Sequence, residues 1–328
     1  MNLLLIMPNF FDYPQLIQQE LEKMGYHVDF FDDRPSTSSW VKAIIKVNKN
    51  YLNGYIKKYF QQIMNMIRNN IYDVVLLISG QSLSFSEGMI KELRDSQHNA
   101  RFILYQWDSQ TNFPYIVKMH PYFDAVFSFD KKDAEQNENI KFLPLFYTDI
   151  YEKLGKKQQR EYVYDCSYVG TAHPQKYKYV NEMSASLKDV LPNQFIYHYM
   201  PSKLKFLYHK VKDEEYKKAK YKEFERTKMT AEAVLDVFEK SRCILDAPQA
   251  GQTGLTIRTL ECLGAKRKLI TTNFDIRNYD FYNTNNILIF DGNVDPDIPF
   301  FTKEYEDIPE KIYQKYSLRH WLKTMLDD

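Results

Sequence analysis

The residues best suited to phosphate chemistry are concentrated between Asp246 and Asn273. Cys243, Ile244 and Leu245 form a short apolar run ending at Asp246, the pattern of a buried strand. Gly251, Gln252, Thr253 and Gly254 make a loop. Leu255 to Leu263 then carries apolar residues at Leu255, Ile257, Leu260, Cys262 and Leu263, as a half-buried helix does. Gly264 is expected to take a positive φ and stop that helix. Leu269 and Ile270 begin the next strand. A loop opening into a helix at a strand's carboxyl end presents unpaired N–H groups and the positive end of a dipole, and both hold phosphate. Arg258 adds a cation one turn into the helix. Glu261, a further turn on, can accept hydrogen bonds from vicinal hydroxyls. Phosphate donors beside a hydroxyl acceptor point to a nucleotide-sugar site. The competing reading is a plain loop–helix turn with Arg258 and Glu261 as an i,i+3 surface pair.

The run GLTIRTLECLGAKRKLITTN resembles the donor-site signature of GT-B glycosyltransferases. The likeness is closest to the group-1-like branch that includes spore-maturation and polysaccharide-biosynthesis transferases. Arg258, Glu261, Gly264 and the strand from Leu269 to Thr272 carry it. In the E-x7-E pair common in the broader family, Glu261 fills the second position and Thr253 stands at the first. The resemblance implies an α/β architecture of two Rossmann-like, doubly wound domains facing a central cleft. The acceptor would sit on the first domain and the donor on the second. It implies a hexosyltransferase that takes a UDP- or GDP-type sugar as donor substrate, with no further cofactor and no metal. The acceptor would be a growing bacterial capsular, exo- or lipopolysaccharide glycan. Gly254 N–H, Arg258, Lys176 and His173 would stabilise the departing diphosphate, and Glu261 would accept from the ribose. A nucleotide-sugar epimerase of the same fold, or a non-catalytic glycan-assembly partner, are the alternatives.

The elements that must position these groups are legible as a pattern. The 328 residues are enough for two domains, and 44% hydrophobic content argues against disorder. A net charge of +1 gives no global reason to expect a nucleic-acid partner. Three cysteines without C-x-x-C spacing read as reduced core thiols of a cytoplasmic protein. The opening run MNLLLIMPNFF reads as a first strand rather than a signal peptide. Strands at Leu3–Met7, Tyr26–Phe31, Val74–Ile78, Phe102–Gln106, Ala125–Phe129 and Lys141–Leu145 alternate with helices, which predicts a doubly wound first domain over about 1–150. Thr148 to Glu161 reads as the linker. A second α/β domain is expected over 160–311, with a terminal helix in 312–328 packing back on the first.

Further candidates lie at strand ends, where open α/β sheets bind ligands. Gly170, Thr171 and His173, with Lys176 just beyond, close the first strand of the second domain and suit a pyrophosphate. Gly170 is expected to let the backbone approach it. The alternative is a helix start with His173 solvated. Asp108, after Trp107 at another strand end, is the candidate base for an acceptor hydroxyl, with Asp12 and Asp130 as rivals. The loops at Asn9-Phe10-Phe11 and Ser79-Gly80-Gln81 occupy equivalent places. Segment 203–228 mixes lysines with aromatics. An apolar side of Phe206, Leu207, Tyr208, Tyr216, Tyr221 and Phe224 would suit a peripheral contact with anionic lipid at the inner face of the plasma membrane. Asp295-Pro-Asp297 reads as a turn rather than a metal motif.

Overall fold

The computed structural model describes residues 1–9, 12–36, 52–81, 83–157, 161–248 and 253–327. Phe10, Phe11, Gly251 and Gln252 lie outside them. The chain divides into two compact units, Met1–Pro144 with Trp321–Asp328, and Leu145–His320.

Unit 1 is a six-stranded parallel sheet in the order β2-β1-β3-β4-β5-β6. The strands are β1 (Asn2–Ile6), β2 (His27–Phe31), β3 (Val74–Ser79), β4 (Arg101–Gln106), β5 (Ala125–Ser128) and β6 (Ile140–Phe142). Helices α1 (Tyr13–Lys23), α2 (Asn53–Ile67), α3 (Glu87–Ser96) and α4 (Lys131–Gln136) connect them. β3 reads VVLLIS and is buried throughout, as a central parallel strand covered on both faces must be. Helix α2 lays Ile56, Phe60, Ile63 and Ile67, one stripe at helical spacing, on the sheet core. Gly25 ends α1 with φ +94°, a backbone that only glycine adopts without cost. Near the chain end, Trp321 packs edge-on against Tyr105 at 4.6 Å, and Arg101 donates to the Leu326 carbonyl at 2.8 Å.

Unit 2 is a five-stranded parallel sheet in the order β11-β10-β9-β7-β8. Its strands are β7 (Tyr164–Thr171), β8 (Gln194–Tyr199), β9 (Ser241–Asp246), β10 (Lys268–Thr271) and β11 (Ile287–Ile289). Its helices are α5 (Asp149–Lys156), α6 (Pro174–Ser186), α7 (Lys203–Lys212), α8 (Ala231–Lys240), α9 (Ile257–Gly264), α10 (Pro299–Thr302) and α11 (Glu310–Lys315). Helix α12 (Leu318–Asp327) carries the chain from unit 2 into the last residues of unit 1.

Two expectations change here. The stretch read as a linker is helix α5, and the unit boundary falls before it, at Pro144. The supposed linker glycine, Gly155, is a crossing point: a Cβ there would stand 2.3 Å from the Gly264 carbonyl oxygen. Gly264 itself does not carry the positive φ. That falls on Lys266, at φ +51°. Arg267 N–H reaches the Cys262 carbonyl and Lys266 N–H the Leu263 carbonyl, the paired bonds of a Schellman stop. Gly264 is needed for space instead, since a Cβ would sit 2.6 Å from the Tyr147 ring.

Candidate functional site

In unit 2, β7 and β9 pair side by side, Cys166 opposite Cys243 and Ser167 opposite Ile244. From β7 the chain crosses outward to β8, and from β9 it crosses the other way to β10 and β11. The loops after β7 and β9 therefore leave a topological switch point, where doubly wound sheets leave a crevice at the strands' carboxyl ends. Each loop leads into a helix, α6 after β7 and α9 after β9. Two positive dipole ends thus follow adjacent strands.

Asp246 organises the start of α9. Last in β9 and buried, its carboxylate accepts from Thr256 Oγ1 at 2.5 Å and Thr259 Oγ1 at 3.2 Å. Thr256 is also the N-cap, accepting from Thr259 N–H at 3.3 Å. Upstream, Thr253 is exposed and Gly254 buried, and the Thr253 carbonyl is held by Asn273 Nδ2 at 3.2 Å.

Arg258 and Glu261 meet each other. Arg258 Nη1 lies 2.7 Å from Glu261 Oε2, with 21% of the arginine side chain exposed and 6% of the glutamate. The guanidinium carbon stands 4.9 Å from the centre of the Phe238 ring, a cation–π arrangement. Tyr151, from α5, packs edge-on against Phe238 at 5.1 Å. Its hydroxyl lies by Glu261 and Arg258, and burial above all, then the Glu261 charge, pushes its pKa well up. Three helices therefore fix one cation from behind. Sequence reasoning missed Tyr151, inside the supposed linker, along with Phe238 and the bracing role of Asp246.

In the β7 loop, the space above Gly170 is already filled. A Cβ there would come 2.3 Å from the Tyr168 hydroxyl, so its missing side chain serves packing rather than a close approach by ligand. Thr171 and His173 are exposed and Lys176 is half-buried. His173 is the N-cap residue of α6 without a capping bond from its side chain, and Pro174 opens the helix.

Unit 1 has the same switch point, between β1 and β3, furnished differently. Asp108 Oδ2 accepts from Gln81 N–H at 2.8 Å, and a Cβ on Gly80 would lie 2.2 Å from that oxygen. Asp108 thus ties the loop after β4 to the loop after β3. Asp12 is exposed, while Asp130 is buried and caps α4 through Lys132 N–H. Trp107 packs edge-on against Tyr13 at 5.9 Å. At the end of β2, Asp32 accepts from Asn9 N–H and Arg34 Nε, each at 3.0 Å. Asp33 is fully buried, accepts from Ser79 Oγ at 2.8 Å and lies 3.4 Å from Arg34 Nε. Burial raises its pKa to about 7, against the pull of Arg34. Nothing in the sequence singled out Asp33. Asp295 accepts from Asp297 N–H, closing a turn. Among the described residues, no group of three or more His, Cys, Asp or Glu could hold a metal ion, and no helix is long and apolar enough to cross a membrane.

No protein-family model and no curated protein matches the chain. Solved structures match nearly end to end. A glycosyltransferase from Rickettsia africae superposes with a TM-score of 0.61 at 12% identity, over 99% of this chain and 97% of that one. The Anabaena protein HepE, in complex with UDP and glucose, gives 0.57 at 10% identity, over 100% and 98%. An alpha-glucosyltransferase, in complex with UDP and a mismatched 13-mer DNA, gives 0.58 at 14%, over 99% and 95%. The chain has the GT-B fold. Within it, the loop–helix start with Arg258 and Glu261 belongs to the second Rossmann-like unit.

Proposed function

We propose that the chain is a GT-B glycosyltransferase that moves a hexose from a nucleoside-diphosphate sugar, UDP-type first, onto a bacterial capsular, exo- or lipopolysaccharide glycan. The R-x-x-E run favours the group-1-like, spore-maturation-type branch. One observation carries the reading: two helix starts, one braced by Asp246 and backed by Arg258, follow the adjacent strands of the unit 2 switch point. Two of the similar structures contain UDP.

In this proposal the diphosphate lies across the loop ends. Gly254 N–H, the first turn of α9, Lys176 and His173 face it, together with the exposed edge of Arg258. Such groups stabilise negative charge as it develops on the leaving group, without reorganising when it does. Gln252 belongs to the same loop. Glu261 is committed to Arg258 and Tyr151, so its work is to orient the guanidinium, and a ribose contact would require that pair to open. Asp108 takes the acceptor proton if transfer inverts. No metal is assigned a role.

Calorimetry with UDP and GDP, followed by transfer assays, tests the reading. The chain should bind one nucleotide, and Arg258→Ala should lose about 2–4 kcal/mol of transition-state stabilisation. Failure to bind either nucleotide would favour the non-catalytic partner. Isomerised sugar from donor alone, without acceptor, would instead establish an epimerase.

A further inference from the structure

Segment 203–228 carries ten Lys or Arg against five Asp or Glu. Its structure splits the expected apolar side: Phe206, Tyr216 and Phe224 turn inward, while Leu207 and Tyr208 stay exposed. Phe206, Tyr216 and Phe224 are buried in a cluster with Tyr177, Ala172 and Met200, and Tyr216 stacks on Phe224 at 5.6 Å. A second apolar stripe then appears on α7, facing away from that cluster. Leu204 is 80% exposed, Leu207 46%, Tyr208 56% and Val211 86%. Their spacing, i, i+3, i+4 and i+7, is that of one helical face.

The charges around the stripe follow the same geometry. At about 100° per residue, Lys203 and Lys210 fall on one flank of the stripe and Lys205 and Lys212 on the other. Phe206 and His209 fall opposite and face the cluster. Helix α7 contains no acidic residue. The first acid, Asp213, is paired with His209 at 2.8 Å. A narrow apolar ridge between two rows of lysines, on a helix already anchored by its other face, matches a surface with negative headgroups above an apolar layer. The ridge enters the acyl boundary, while the lysine stems lie along it with their ammonium groups at headgroup level. A protein groove would need acidic residues on both sides of a narrow slot, whereas anionic lipid supplies that charge everywhere.

We propose that α7 docks unit 2 on an anionic membrane surface through Leu204, Leu207, Tyr208 and Val211, with Lys203, Lys205 and Lys212 contacting the headgroups, while Lys210 is held back by the Ala219 carbonyl at 2.8 Å. This surface does not depend on the donor site. Donor binding can fail while lipid binding stands, and the reverse.

Flotation of the full chain with vesicles tests the proposal. The chain should float with phosphatidylcholine vesicles containing phosphatidylglycerol, stay behind with pure phosphatidylcholine, and release as salt is raised. Leu204→Ser with Val211→Ser should weaken binding about tenfold or more without moving the melting temperature, because both residues are exposed. Neutralising Lys203 and Lys212 to Gln should weaken it by about fivefold per lysine at low salt. No flotation with anionic vesicles, or unchanged flotation in both variants, overturns the proposal. So does a wild-type dimer in ultracentrifugation that the Leu204→Ser/Val211→Ser pair splits, since the ridge would then be a contact between copies.

Discussion

The two sheets share a strand order through their first five strands, yet their switch points are furnished with different charged groups. In unit 2, the loops after β7 and β9 bring two helix starts, Lys176, His173 and the partly exposed Arg258. The carboxylates there, Asp246 and Glu261, are buried and engaged by threonine hydroxyls or by Arg258. In unit 1 the loops after β1 and β3 are instead met by carboxylates from the neighbouring loops after β2 and β4: Asp32 on Asn9 N–H, Asp33 on Ser79 Oγ and Asp108 on Gln81 N–H, with the guanidinium of Arg34 turned onto the first two. One topology thus yields a place with two helix starts and a braced cation and a place rich in carboxylates. Strand order locates a crevice, and the residues on its rim decide what the crevice takes.

The strongest way to break this contrast is to change one charge on each side. If Asp108 is the base, Asp108→Asn should lower kcat by about 100- to 10,000-fold while leaving nucleotide affinity intact. Arg258→Ala should lower kcat/KM by roughly 30- to 1,000-fold and weaken UDP binding as well. If both variants shift UDP affinity equally, the division of labour between the units is wrong.

Asp33 sharpens the unit 1 side through pH. Its folded-state pKa of about 7 lies above the ordinary carboxyl value, so the folded protein holds this proton over a range where the unfolded chain has released it. Its contribution therefore favours folding at low pH and is lost as pH rises from about 4 to about 7. Wild type should lose on the order of 2–4 kcal/mol relative to Asp33→Asn across that window in denaturant titrations. Parallel pH curves for the two proteins would remove Asp33 from the account.

On the unit 2 side, Gly264→Ala forces a methyl group against Tyr147 and should destabilise the protein by about 1–3 kcal/mol. Thermal melting measures it, and an unchanged melting temperature would mean that the α9 stop can shift at no cost. The smallest expected effect is that of a chelator. Helix ends and cations suffice in the proposed site, so EDTA should leave the transfer rate within about twofold. A large loss would require a metal and a different assignment of the rim.

Much of this was legible in the sequence. Apolar runs such as VVLLIS announce a central parallel strand, and Gly25 marks the end of α1, because both depend on neighbours in the chain. The loops after β7 and β9 were also found that way. Side-chain commitments were not. An i,i+3 spacing says that Arg258 and Glu261 can meet, but not whether they face a ligand or each other, and Tyr151 settles that from a distant helix. Gly170 and Gly264 looked like conformational glycines, yet their reasons are Tyr168 and Tyr147. The aromatics of 203–228 showed the right composition without showing which face α6 would cover.

The crossing of α5 and α9 bears on how the protein can be dissected. A recombinant second half cut after the expected linker, near residue 160, would discard α5. It would strip Tyr151 from Glu261 and uncover the furrow where Gly155 meets Gly264. A fragment meant to retain α9 with its packing intact has to start at Leu145.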